Sequence, residues 1–397
     1  MSRQPVSQPT KTQSPVESGM TSGPNNTPIL EGAILEQARQ RETLKVIGAI
    51  LGLIVSIIVF VIWVPGGAST ALRDATGNDS GLISRLWFVI AFLLISGVLE
   101  FPLGVYFDYT LGKKFGLLKQ NFGGWLGDQL KEAGIGLLFS LILFMALYAI
   151  FAAFPTLWFP IAMLLITAFF AVILLLQPRL ARMRFKSAPL ENPELEARVQ
   201  ALFKRANVPL VGVSKWLFGE KTKQGNAALS PIGAGSEVLI SDTLLESVSL
   251  DGIEVVLAHE LGHKVHRDIP KMLVLAWLQF ALIIALAYFA LSSLGFKFGL
   301  RGPQDIATLP IFVFAFTVVG SLYSLITNAV SRNAEYAADR FALQMTGNVT
   351  AFEQTFRTLA KDNLSDPNPP EWVEVWLHDH PSIEKRIAAA RAWKPAS

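Results

Sequence analysis

Residues Gly134–Phe154, GIGLLFSLILFMALYAIFAAF, are followed after Pro155 and Thr156 by Leu157–Gln177, LWFPIAMLLITAFFAVILLLQ. Each stretch is long enough, and apolar enough, to cross a bilayer as a helix, which needs about 20 such residues. Only a tight turn at Pro155 separates them, so together they read as a helical hairpin in a membrane. Strands are a poor alternative, because an open sheet edge in lipid leaves backbone groups unpaired. Four more segments read the same way: Lys45–Val64, Leu86–Tyr106, Met272–Leu294 and Leu309–Val330. The composition agrees. Of 397 residues, 51% are hydrophobic and only 16% charged, against about 25% charged in a soluble protein. The expected fold is a mainly α integral membrane protein of about six transmembrane helices, carrying a smaller α+β domain.

The other residues divide around these spans. Residues 1–44 are rich in Ser, Pro, Thr and Gln and read as a disordered tail leading into a short helix near Ile29–Lys45. Residues 45–177 hold four spans and 270–330 two. The polar stretches 178–269 and 331–397 are each too short to bury a sizeable core alone, so they are expected to fold together. Lys113, Lys114, Lys119 and Lys131 follow the second span, and Arg179, Arg182, Arg184 and Lys186 the fourth. The opposite loops carry only Arg73, Arg85, Lys297 and Arg301. Basic loops stay in the cytoplasm, which places both polar stretches there. Glu100, inside the second apolar run, is expected to make a structural hydrogen bond near the helix end. A net charge of +3, without an aromatic–basic pattern, excludes a nucleic-acid partner.

Within 178–269, Glu191–Ala206 has helical periodicity, Leu210–Leu217 and Glu237–Ile240 read as strands, and Pro231 confines the intervening stretch to a sheet edge. Thr243 with Glu246, and Asp251 with Glu254, have the spacing of capping boxes. The helix opened by the second contains His259-Glu260-Leu261-Gly262-His263. Histidines at i and i+4 share a helical face and can reach one zinc ion at about 2.0–2.1 Å. Glu260, rotated off that face, is placed to act as general base on a water that zinc acidifies. With no cysteine in the chain, a third ligand must be His, Asp or Glu. Glu335 returns to the same membrane face just after the last span, and Asp339, one turn on, could accept the second N–H of a ligating histidine. His378 and His380, with Arg386 downstream, could stabilise an oxyanion. His266 is expected to pack or hydrogen-bond locally. Because the motif helix and the Glu335 helix both read as continuing from membrane spans, the site is expected at the bilayer surface, acting on membrane-tethered or membrane-emergent chains.

His259, Glu260 and His263, then two spans, then Glu335 and Asp339, then His380-Pro381 and Arg386, form an ordered set. It resembles the integral-membrane zinc metallopeptidases of the CAAX prenyl protease (Ste-type) and HtpX-type group. Asn226-Ala227 resembles that group's substrate-pairing edge strand, and Lys114-Phe115-Gly116 with Trp125 and Asp128 the connector before a span in its prenyl-protease branch. The resemblance implies a zincin-like domain with one Zn2+ held by His259, His263 and Glu335, with Asp339 behind them. It assigns catalysis to Glu260, His380 and Arg386, and substrate binding to Asn226, Ala227 and Ala228. The expected function is a zinc-dependent endopeptidase of peptide or protein substrates, serving processing or quality control in a bacterial inner membrane with its site on the cytoplasmic side. Removal of a C-terminal tripeptide from prenylated proteins is the nearest alternative. A non-catalytic scaffold retaining its zinc is the alternative of another class.

Overall fold

A computed structural model describes residues 28–229 and 235–395. Of the tail expected over residues 1–44, residues 1–27 lie outside the described residues, as do Ser230 and Pro231. In chain order the helices and strands are α1 Gly32–Trp63, α2 Ala68–Ala75, α3 Leu82–Gly104, α4 Leu111–Lys114, α5 Phe122–Ala153, α6 Trp158–Arg184, β1 Ser187–Pro189, α7 Pro193–Arg205, β2 Leu210–Trp216, β3 Ala227–Leu229, β4 Ser236–Ser241, α8 Asp242–Ser247, α9 Leu250–Val265, α10 Asp268–Leu294, α11 Leu309–Thr346, α12 Val349–Asp362, α13 Glu371–Leu377 and α14 Ile383–Ala392. Among the described residues six helices, α1, α3, α5, α6, α10 and α11, are long and apolar enough to span a membrane. The protein is an integral, multi-pass membrane protein. The short helix expected near Ile29–Lys45 is not separate, since α1 runs through it into the first span. Glu100 is exposed on α3 and has no hydrogen bond among the described residues, so the expected structural bond is not made.

The bundle core is aromatic: Phe88, Phe92, Tyr148, Phe151 and Phe312 pack with Trp63 where α1, α3, α5 and α11 meet. Tyr148, fully buried, satisfies its hydroxyl on Thr308 at 2.7 Å, as a buried phenol must.

The polar stretches do fold together. Leu195, Val199, Leu202 and Phe203 of α7 pack against Val238 and Ile240 of β4, Leu257 and Leu261 of α9, and Ala342 of α11. The sheet order is β1-β2-β4-β3; β2 and β4 are parallel, and the two outer pairings are antiparallel. Among the described residues nothing pairs with the far side of β3. The helices after β4 are capped by Ser241 and Ser249, whose hydroxyls accept the amides of Leu244 and Gly252, rather than by Thr243 and Asp251. Asp251 is drawn to Arg198 instead, at 2.6 Å.

Two local features bring the site together. Helix α9 crosses α11 at Gly262, where an added Cβ would lie 3.0 Å from Ala338 Cα and 3.2 Å from Phe341 Cβ. Only glycine permits that approach without displacing the helices. Between α9 and α10 the chain breaks at Arg267, in the left-handed region with φ 56. The motif helix is therefore not a continuation of a span, whereas Glu335 does lie on one, the unbroken α11.

Candidate metal centre

His259 and His263 project from α9 with their rings nearly perpendicular, and their Nε2 atoms lie 3.1 Å apart. Glu335 closes the triangle from α11: Oε2 is 3.3 Å from His259 Nε2, and Oε1 is 3.2 Å from His263 Nε2. Two ligand bonds of about 2.0–2.1 Å at a tetrahedral angle would separate their nitrogens by about 3.3 Å. Glu335 is buried, and its Oε2 accepts no hydrogen bond of acceptable geometry although Arg386 Nη1 is 3.1 Å away. A buried carboxylate oxygen without a hydrogen bond, facing two convergent imidazoles, suits a cation between them. These three residues, their donor atoms within 4.8 Å of one another, can hold a metal ion.

The electrostatics agree. Burial works against a charged His259, but the carboxylates of Asp339 and Glu335 outweigh it and raise its pKa to about 9. The surroundings favour positive charge at this spot. The outer nitrogens are also engaged: His259 Nδ1 lies 2.9 Å from Asp339 Oδ1, and His263 Nδ1 lies 3.0 Å from Asp268 Oδ2. The Asp339 contact was legible as a residue one turn beyond Glu335. Asp268 had no sequence signal; the turn at Arg267 swings it back over His263.

Glu260 is partly buried beside the two imidazoles. Burial raises its pKa above the ordinary carboxyl value, and His259 and His263 oppose the rise. It opens onto a cleft of about 580 Å³ between α10 and α11, walled by Ile269, Met272, Ala276, Val330 and Ala334. His380 enters from the loop after α13, half exposed, with Nε2 3.2 Å from Glu335 Oε1 and Nδ1 2.7 Å from Asp379. The bond to Asp379 raises its pKa, against the effect of burial. Arg386 is buried, with Nε and Nη2 bound to Asp339 at 2.8 and 2.6 Å. It stacks 4.2 Å over Phe356. His378 does not join the site and binds Glu42 instead, at 2.7 Å. His266 packs edge-on against Phe341.

Strand β3 adds an open edge. Ser241 donates its amide to the carbonyl of Asn226, and the register pairs Ala228 with Leu239. Bonded pairs alternate along an antiparallel ladder, so Ala228 turns its backbone groups to β4, while Ala227 and Leu229 turn theirs outward. Asn226 is exposed at the rim of an open cavity of about 1090 Å³, bounded by the N-terminal half of α1, the C-terminal end of α3, the start of α5 and the β2–β3 connection. The connector before α5 braces that connection. Lys119 and Leu117 exchange backbone bonds with Lys221 and Lys223, and Asp128 accepts Lys221 and Gln120.

The sequence model for peptidase family M48 matches residues 189–394, about half of the chain. The chain belongs to peptidase family M48. A second model, described as CAAX prenyl protease N-terminal with five membrane helices, matches residues 26–182, where the described residues form four candidate spans. The uncharacterized metalloprotease YhfN of Bacillus subtilis is 29% identical over 318 residues, 78% of this chain and 73% of that protein. CAAX prenyl protease 1 of Saccharomyces cerevisiae is 25% identical over 332 residues, 78% of this chain and 72% of that protein. The crystal structure of S. mikatae Ste24p shares the fold with a TM-score of 0.79 at 21% identity, covering 91% of this chain and 89% of that one. This M48 protein is a membrane-embedded metalloprotease of the CAAX prenyl protease type, a hydrolase of peptide bonds whose chemistry requires a metal.

Proposed function

We propose that His259, His263 and Glu335 hold one Zn2+ per chain, and that the protein cleaves membrane-associated or membrane-emergent proteins at the cytoplasmic face of a bacterial inner membrane. The observation that carries this reading is the convergence of two Nε2 atoms and a carboxylate around one point, with Glu260 alongside. The basic loops beside α3 and α6 support the cytoplasmic placement. The apolar cleft between two spans, opening at Glu260, supports substrates that arrive along the membrane.

A zinc ion held by His259, His263 and Glu335 would supply Lewis acidity, acidifying a water and polarising the scissile carbonyl. Glu260 takes the proton of the attacking water on its carboxylate and passes it to the leaving amine. Asp339 and Asp268 fix the two imidazoles through Nδ1, which sets the tautomer each presents. His380, half exposed beside Glu335, donates to the developing oxyanion. That role is not shared by Arg386, whose donors already face Asp339 and Glu335; it orients those carboxylates. Substrate backbone adds to β3 through Ala227 and Leu229, with the Asn226 side chain at the end of the strand, while Ala228 serves only the sheet.

Processing or quality control of membrane proteins is the main reading. Cleavage of prenylated C-termini is the second, favoured by the match of residues 26–182 to the CAAX prenyl protease N-terminal model. Glu260→Gln tests the mechanism: the variant should keep its zinc and lose at least about a hundredfold of its proteolysis, as expected for loss of a general base. Full activity in that variant would defeat the reading.

A further inference from the structure

His380 sits on a stretch without regular structure, between the end of α13 at Leu377 and the start of α14 at Ile383. Its side chain is 54% exposed, so packing around the ring does not hold it in place. The segment that carries it is held from two sides, through its backbone and through the His378 side chain. From α11, Arg332 Nη1 donates to the carbonyls of Glu374 at 3.0 Å and His378 at 2.8 Å. From α1, Glu42 Oε1 meets His378 Nε2 at 2.7 Å.

Glu42 is unusual for its position. It is a buried carboxylate, 5% exposed, on the helix that continues as the first membrane span. Lys45 on its own helix also reaches it, at 3.2 Å. One residue earlier, Arg41 donates to the carbonyls of Asn363 and Leu364. The cytoplasmic end of α1 therefore holds the C-terminal segment on both sides of α13. A buried polar pair contributes little net stability over apolar packing, but it fixes geometry.

We propose that Glu42 is a positioning residue for the peptidase reaction: through His378 it fixes the 377–382 loop so that His380 stays beside Glu335. The first membrane helix is thereby coupled to the catalytic loop. This inference rests on the assignment of His380 made under the proposed function.

The test uses the full-length, zinc-loaded protein in detergent, with dye-quenched casein as substrate, and compares Glu42→Ala, Glu42→Gln, His380→Ala and the double variant Glu42→Ala with His380→Ala. Glu42→Ala should lower kcat about tenfold, the scale of a lost hydrogen bond to a charged group, with KM within about twofold. Glu42→Gln keeps an acceptor for His378 and should stay within about threefold of the parent. In the His380→Ala background the Glu42→Ala loss should shrink below about twofold, since both act on one group. In metal-free protein, amide exchange in 377–382 should quicken about tenfold in Glu42→Ala, with α9 unchanged. The proposal is overturned if Glu42→Ala keeps full kcat, if its loss appears undiminished in the His380→Ala background, or if exchange rises throughout the molecule. If His380→Ala itself is fully active, the assignment of His380 fails and this inference falls with it. An impaired His380→Ala with additive losses sinks the positioning claim alone. Should Glu42→Ala fail to fold, His378→Ala breaks the same bond from its more exposed side and carries the same expectations.

Discussion

Removing the Asp339 carboxylate should weaken the metal centre and the fold together, and the two effects can be separated. Asp339 accepts Arg386 Nε and Nη2 at 2.8 and 2.6 Å and lies 2.9 Å from His259 Nδ1. All three side chains are buried. Asp339→Ala leaves the Arg386 guanidinium with Glu335 Oε2 at 3.1 Å as its remaining carboxylate, and leaves the His259 ring free to turn. Breaking a buried pair in this way costs about 3–5 kcal/mol, a large share of the roughly 5–15 kcal/mol available to a folded protein. Loss of the carboxylate behind a ligating histidine should lower zinc affinity about 10- to 100-fold, or about 1.4–2.7 kcal/mol. Thermal unfolding in detergent reads the first effect, and competition with a coloured chelator the second. The control is Asp339→Ala with Arg386→Met, which removes both charges. It should recover most of the lost stability, because no buried charge is left unpaired, but not the zinc affinity. Unchanged affinity and melting in Asp339→Ala, or a double variant less stable than the single, would overturn this role for Asp339.

Three further outcomes follow from particular contacts. Gly262→Ala should separate α9 from α11 and cost about 1–3 kcal/mol as overpacking, with weaker metal binding; a chelator titration matching the parent would show that the helices can yield. Ala227→Pro removes an amide that faces the open edge, which a strand tolerates, so kcat/KM should fall about tenfold while melting stays near the parent's; an unchanged kcat/KM would exclude backbone pairing at β3. Glu353 is held below its ordinary pKa, by Arg391 first and, against the effect of burial, by Arg357. Its folded-state pKa is depressed, so its contribution is present above the unfolded value of about 4.3 and is lost as pH falls through the folded value. Glu353→Gln should be less stable than the parent by about 1 kcal/mol or less at neutral pH, since the groups are partly solvated. That gap should close in acid, and a gap that widens there would contradict the assignment.

The spans were readable because crossing a bilayer is a matter of length and composition, as Gly134–Phe154 illustrates. The motif histidines were readable because i and i+4 is a local relation on one helix. Glu335 and Asp339 carry a weaker signal, a pair of carboxylates one turn apart that returns to the same membrane face just after the last span. What stayed hidden is long-range or conformational. Asp268 reaches His263 only because Arg267 takes a left-handed turn. Gly262 reads as an unremarkable filler of the motif until α11 is seen against it. Ser241 and Ser249, rather than Thr243 and Asp251, cap their helices, since competing spacings fit the same rule and only the fold decides. Arg386 was read as able to stabilise an oxyanion, and the sequence carried no sign that its fork meets Asp339, a partner 47 residues away. The bond between Glu42 and His378 spans 336 residues, and no local pattern encodes it.

Two imidazoles of α9 and one carboxylate of α11 are proposed to share a single metal ion. X-ray absorption at the zinc edge, on protein purified with zinc and on Glu335→Ala, checks that ligand set. One zinc per chain is expected, with two histidine nitrogens in its shell and an oxygen contribution that changes, with a sharp loss of affinity, when Glu335 is removed. Absence of stoichiometric metal, or a spectrum and affinity indifferent to Glu335→Ala, would contradict it.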